Sequence, residues 1–183
     1  MKYTFTFLIL ISTLFAIKTQ AQPRRYVART FYLDLITFQH AFGAGIYGSQ
    51  DAANWGFTYS PRANLIMLGD NTISFGTNLG LGLTGKGSES VKIIYDLPFV
   101  FDYNFGHKAL IDNTVGPGGF VGAGYGFSLL RDEAGASKSQ GIVFNAGARG
   151  PIADRSLTLR ASYMLPLKKS RPSVYSVGIQ YNF

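Results

Sequence analysis

The sequence predicts an all-β protein, an eight-stranded antiparallel up-and-down barrel, and three observations carry that reading. The first is the stretch Ser173 to Phe183, where Tyr175, Val177, Ile179, Tyr181 and Phe183 alternate with Ser176, Gly178, Gln180 and Asn182. Side chains alternate sides along a strand, so this segment has one apolar face and one small, polar face. The second is that the same period-two pattern returns again and again along the chain. The third is composition: 22 glycines and 15% aromatic residues, with few strong helix formers, favour strands with small residues on one side.

The start of the chain has a different character. Met1-Lys2 is followed by an apolar run from Phe5 to Ile17 and then by Lys18-Thr-Gln-Ala21. A cationic start, a short apolar core and a small residue at the cut site describe a cleaved signal peptide over residues 1–21. The run is too short for a spanning helix, which needs about 20 apolar residues. Its removal takes away Lys2 and Lys18 and leaves 15 basic against 10 acidic residues, net +5. The chain has no cysteine, which excludes a disulfide framework and a thiolate metal site. An exported chain seldom meets nucleic acid, and the basic residues sit in turns and not in one patch, so the charge does not point to that partner.

Residues 22–35 read as a polar, basic N-terminal lead-in, and residues 36–183 as one barrel domain. The first strand is expected over Ile36 to Gly48, where the alternation is mixed. Trp55 to Leu65 sets Phe57, Tyr59 and Leu65 against Thr58, Ser60, Arg62 and Asn64, and Gly69-Asp-Asn71 supplies a tight hairpin. Ile73 to Thr84 sets Phe75, Leu79, Leu81 and Leu83 against Ser74, Gly76, Asn78, Gly80 and Gly82. Ile93 to Phe105 sets Tyr95, Leu97, Phe99, Phe101 and Tyr103 against Asp96, Val100, Asp102 and Asn104, with Pro98 expected to mark a bulge. Phe120 to Leu130, Gly141 to Arg149, Ser156 to Leu167 and the closing strand complete eight. An even number of alternating segments of about ten residues is what a membrane-spanning barrel requires, with no open edge in the hydrocarbon.

On that alternation and the Tyr181-Asn-Phe183 ending, the region from Ile36 to Phe183 resembles the small eight-stranded outer-membrane β-barrels of the OmpA/OmpX type. The resemblance implies a Gram-negative outer-membrane location, both termini in the periplasm, and an assembly signal in Tyr175, Val177, Ile179, Tyr181 and Phe183 read by the barrel assembly machinery. Connections expected outside are Ser49–Asn54, Gly85–Lys92, Arg131–Gln140 and Lys168–Pro172; those expected inside are Gly69–Asn71, Gly106–Gly116 and Gly150–Arg155. The outer loops are short for the family. Outward aromatics then form two bands, Trp55, Phe57, Tyr95, Phe127 and Tyr175 on the outer side and Phe75, Phe101, Tyr103, Tyr181 and Phe183 on the other.

The lumen of such a barrel is just filled by side chains. The inward parity carries Arg62, Asp96, Asp102, Arg149 and Arg160, and buried charges need partners, so an ionic plug centred on Asp102 with Arg149 and Arg160 is expected. Gly80-Leu-Gly-Leu-Thr-Gly85 matches a nucleotide-loop pattern but lies in a strand, with Gly87 where a hydroxyl is needed and no helix following. His40 and His107 are expected as surface or turn histidines without a serine partner, and Asp132-Glu133 as a solvated turn. No catalytic, metal or cofactor constellation is expected. Lys168, Lys169 and Arg171 form the densest basic cluster on the outer rim, suited to lipopolysaccharide phosphates. The reading is a non-enzymatic, monomeric outer-membrane protein with a structural or surface-interaction role and no large pore. The alternatives are an outer-membrane lipid-processing enzyme, a narrow channel, or a soluble periplasmic ligand-binding barrel.

Overall fold

The computed structural model describes residues 36–49, 53–83, 93–110, 116–132, 135–152 and 155–183. The signal peptide, the lead-in, Gly85–Lys92, Asp51 and Glu133 lie outside the described residues. Among the described residues the chain forms eight strands: β1 (Thr37–Gln39 and Ala41–Gly48), β2 (Ala53–Tyr59 and Arg62–Leu68), β3 (Asn71–Thr77 and Leu79–Leu83), β4 (Ile93–Gly106), β5 (Gly118–Asp132), β6 (Gly135–Ile152), β7 (Arg155–Pro166) and β8 (Val174–Asn182). Each pairs antiparallel with its neighbours in sequence, and β8 returns to β1 with Tyr175 opposite Gly48 and Asn182 opposite Ala41. The sheet is therefore a closed barrel, and closure leaves no row of unpaired backbone groups. Phe183 lies at one rim of the barrel, the terminal rim, and the β7–β8 connection at the opposite, far rim.

The faces sort as the alternation predicts. Leu159 is 56% exposed and the adjacent Arg160 8%. Trp55, Phe57, Phe101, Phe127 and Phe183 are exposed, whereas Asn64, Ser74, Asp102 and Asn104 are buried. Inward glycines have a steric purpose, because bulky lumen side chains lie over them. A Cβ at Gly80 would stand 2.3 Å from the Tyr47 ring, one at Gly147 2.5 Å from the Phe120 ring, and one at Gly122 2.1 Å from the Asp102 carboxylate. Such approaches are shorter than any ordinary contact, so a larger residue displaces its neighbour.

Several local expectations need correction. Arg131–Gln140 is mostly strand, because β5 and β6 stay paired out to Asp132 opposite Gly135. Gly150–Arg155 is likewise paired, with Arg155 opposite Ile152. In both, polar side chains on a solvated ladder look like a loop in the sequence. Pro98 makes no bulge: it pairs in register with Gly126, and on the β3 side Thr77 opposite Phe99 and Gly80 opposite Asp96 keep one register across a gap. Lacking an N–H, proline interrupts the ladder without shifting it. The register shift falls between Asn64 and Ile66. β1 breaks at His40, where the seam continues through Phe183 N–H to His40 O, 3.0 Å, and the imidazole stacks between Tyr59 and Phe183.

Candidate functional site

The lumen has two layers. Toward the far rim, Tyr47, Ile94, Val100, Val143, Met164 and Val174 form an apolar cluster, with Leu130 packed against it. Of these, Val100 was expected on the inward face; the others share its parity but are scattered singly along their strands. Asp96 lies in this region and accepts a hydrogen bond from Ser128 Oγ at 2.5 Å.

The charged residues gather toward the terminal rim. Arg160 Nη2 stands 3.6 Å from Asp102 Oδ2, an ion pair buried in the lumen. Asn145 bridges the same two groups, accepting from Arg160 Nε at 2.9 Å and donating to Asp102 Oδ1 at 2.8 Å. Arg149 does not complete the expected plug on Asp102. It donates to Asn104 Oδ1 at 2.9 Å and to the Lys108 carbonyl at 3.5 Å, with its guanidinium 4.4 Å over the Phe120 ring. Arg62 donates to the same Asn104 oxygen at 2.7 Å, and also to Gln39 Oε1 and the Lys108 carbonyl. Arg160 flanks Phe120 as well, at 5.1 Å. Amide oxygens, one main-chain carbonyl and an aromatic face therefore satisfy most of the guanidinium donors. These partners carry no formal charge, which is why charge pairing alone did not find them.

The accepting carbonyls come from the β4–β5 connection, which folds back into the barrel mouth. Gly106 turns the chain at φ +64, where a Cβ would meet Pro117 O at 2.4 Å, and Lys108 adopts φ 54. Both conformations lie in the left-handed region that L side chains seldom adopt. Ala109 is fully buried, and its carbonyl accepts from Thr72 Oγ1 at 3.0 Å and Asn64 Nδ2 at 3.3 Å. His107 is buried, not a surface histidine, and its Nε2 lies 3.0 Å from Ser156 Oγ. His40 Nδ1 is 2.8 Å from Tyr59 Oη, so it too has a hydroxyl partner.

The opposite wall is neutral. Gln180 Nε2 donates to Ser60 Oγ at 2.8 Å, Asn78 Oδ1 at 2.9 Å and Thr58 Oγ1 at 3.2 Å. A void of about 10 Å³ beside Arg160, lined also by Tyr47, Thr58, Asn78 and Gln180, is room for a single water. The described residues contain no cluster of three His, Cys, Asp or Glu able to hold a metal ion. On the far rim Lys168, Lys169 and Arg171 are exposed, and Arg171 Nη1 donates to Ser137 Oγ at 3.0 Å. In β8, Tyr175, Val177 and Ile179 face outward, Tyr181 is half-buried and Phe183 is 62% exposed.

No protein-family model and no curated protein matches the chain. Solved structures do. Neisserial surface protein A (NspA) aligns over 79% of this chain and 94% of its own, at 14% identity and TM-score 0.53. The N-terminal β-barrel domain of Pseudomonas aeruginosa OprF aligns over 81% of this chain and 100% of its own, at 15% identity and TM-score 0.50. The chain has the fold of the small eight-stranded outer-membrane β-barrels. At such identities the likeness concerns the fold, and the interior chemistry described above is this chain's own. Phe120, Asn104 and the Lys108 carbonyl are the parts that sequence reading did not assign. Phe120 was within reach, since it shares the parity of Gly122, Gly124 and Gly126. The Lys108 carbonyl was not, because it belongs to an irregular turn.

Proposed function

We propose that this is an integral outer-membrane protein, exported by its N-terminal signal, whose outward parity contacts acyl chains and whose filled lumen conducts no large solute. The observation that carries the reading is the closed barrel with exposed aliphatic and aromatic side chains outside and charged ones within, Leu159 beside Arg160 being its sharpest instance. A soluble barrel would leave that outer surface in water, far beyond the apolar patch a soluble monomer tolerates. The terminal rim then faces the periplasm and the far rim the exterior. The role is structural or one of surface interaction, without catalysis; His107 and Ser156, the histidine–serine pair at the turn, are both buried. Lipopolysaccharide is the expected neighbour of the basic far rim, and the assembly machinery the reader of β8. The barrel closes on itself and works as a monomer.

Site-specific fluorophores on Leu159→Cys and Ser162→Cys, reconstituted with brominated phospholipid, test the topology. Quenching is expected at position 159 and not at 162, in protein that migrates with the outer-membrane fraction and shifts on a gel when heated. Quenching at 162 alone would turn the assignment inside out.

A further inference from the structure

On the outer surface, the rows of β4, β5 and β6 change character toward the far rim. Register aligns Phe99, Tyr125 and Ile142 in one row, Leu97, Phe127 and Gln140 in the next, and Tyr95, Leu129 and Lys138 in the one after. Arg131 follows, opposite Ile93 and Ala136. Rows are about 7 Å apart along a strand. The surface thus passes from apolar to cationic over a distance comparable with the step from acyl chains to headgroups.

The β7–β8 connection adds two more cations. It is fastened alongside β6 by Leu167 N–H to Gln140 O at 3.0 Å, Ser139 Oγ to Pro172 O at 3.0 Å, and Arg171 to Ser137. Lys168 and Arg171 thereby join Lys138 in lining a concavity of about 670 Å³, walled by Tyr95, Leu97, Phe127 and Leu129. Asp96 and Ser128 also line it; both are buried, and the Asp96 carboxylate accepts from the Ser128 hydroxyl. Lys169, the neighbour of Lys168 in sequence, is not part of the lining.

We propose that this concavity binds a phosphorylated lipid of the surrounding outer leaflet, its phosphate against Lys138, Lys168 and Arg171 and an acyl chain along Leu97, Phe127 and Leu129. The inference rests on the membrane reading and orientation given above. Charge complementarity selects this occupant: a neutral lipid leaves three cations unmatched, and a water-soluble polyanion leaves the apolar walls bare. Tyr95 sits between the two, at the level where amphipathic rings favour a membrane interface.

The test is native mass spectrometry of the refolded protein in non-ionic detergent, titrated with lipid A, a bisphosphorylated and multiply acylated glucosamine disaccharide. Each of Lys138→Gln, Lys168→Gln and Arg171→Gln is expected to weaken binding about fivefold, and the triple variant about a hundredfold. Lys169→Gln is expected to leave it within about twofold, and Lys138→Arg to retain it. Phe127→Ala and dephosphorylated lipid A should each bind more weakly. Heat-modifiable migration checks that every variant is folded, and the single variants decide if the triple one is not. The site is overturned if the triple variant binds as well as the parent, if Lys169→Gln is as costly as Lys168→Gln, or if millimolar inorganic phosphate displaces the lipid. Binding with this residue pattern in a protein that does not fractionate with the outer membrane would sink the location and spare the site. Correct fractionation without the pattern would do the reverse.

Discussion

Toward the far rim, the lumen is filled by Tyr47, Ile94, Val100, Val143, Met164 and Val174; toward the terminal rim, by Arg62, Arg149, Arg160, Asp102 and the amides around them. Both occupy the lumen, but they draw on different parts of the chain. The apolar one is built from strand side chains alone, placed by parity, with glycines leaving room for some of them, as Gly80 does for Tyr47 and Gly126 for Val143. The polar one is incomplete without the β4–β5 connection, whose Lys108 and Ala109 carbonyls accept from arginines, Asn64 and Thr72. Apolar packing tolerates imprecise placement. Buried guanidinium groups do not, because each donor left unsatisfied costs free energy on its own. The difference teaches that one half is a property of the sheet and the other of the sheet plus a folded-back turn.

The largest effect is expected where that demand is strictest. Asp102→Ala leaves Arg160 buried without its carboxylate and Asn145 without an acceptor, and should lower stability by about 3–5 kcal/mol in urea unfolding from lipid vesicles. A loss below about 1 kcal/mol would mean that Asn145 and Phe120 suffice for Arg160, and the contrast between the halves would weaken. Met164→Ala in the apolar half should cost about 2–4 kcal/mol through the cavity it leaves. The double variant should sum the two within about 0.5 kcal/mol, since the two residues share no partner; a larger coupling would reveal one continuous interior. The smallest of the three is Gly122→Ala, whose methyl would collide with Asp102 Oδ1 and with the Phe101 carbonyl oxygen. It should cost about 1–3 kcal/mol alone, and only part of that should be relieved on top of Asp102→Ala, a double-mutant cycle that separates the carboxylate contact from the main-chain one.

The barrel was legible because closure and alternation both leave a trace at fixed spacing. Leu97, Phe99, Phe101 and Tyr103 against Asp96, Asp102 and Asn104 fix the two faces of β4 before any partner is known. The identities of the lumen charges were legible for the same reason. Their pairing was not, since parity says which side a residue faces and nothing of how high it sits or what it reaches across the lumen. Arg149 therefore looked like a partner for Asp102 and proved to be one for Asn104. His107 looked like an exposed turn residue because nothing in Gly106-His-Lys-Ala109 announces that the turn bends inward; Gly106 at φ +64 and Lys108 at φ 54 are the joints that send it there.

Gln180 belongs to the last strand, and the oxygens it grips on Thr58, Ser60 and Asn78 lie more than 100 residues earlier in the chain. Contacts so distant in sequence form late, after the intervening segments have been ordered. The glutamine therefore ties the last strand to side chains of β2 and the middle of β3, beside the seam that β8 closes with β1.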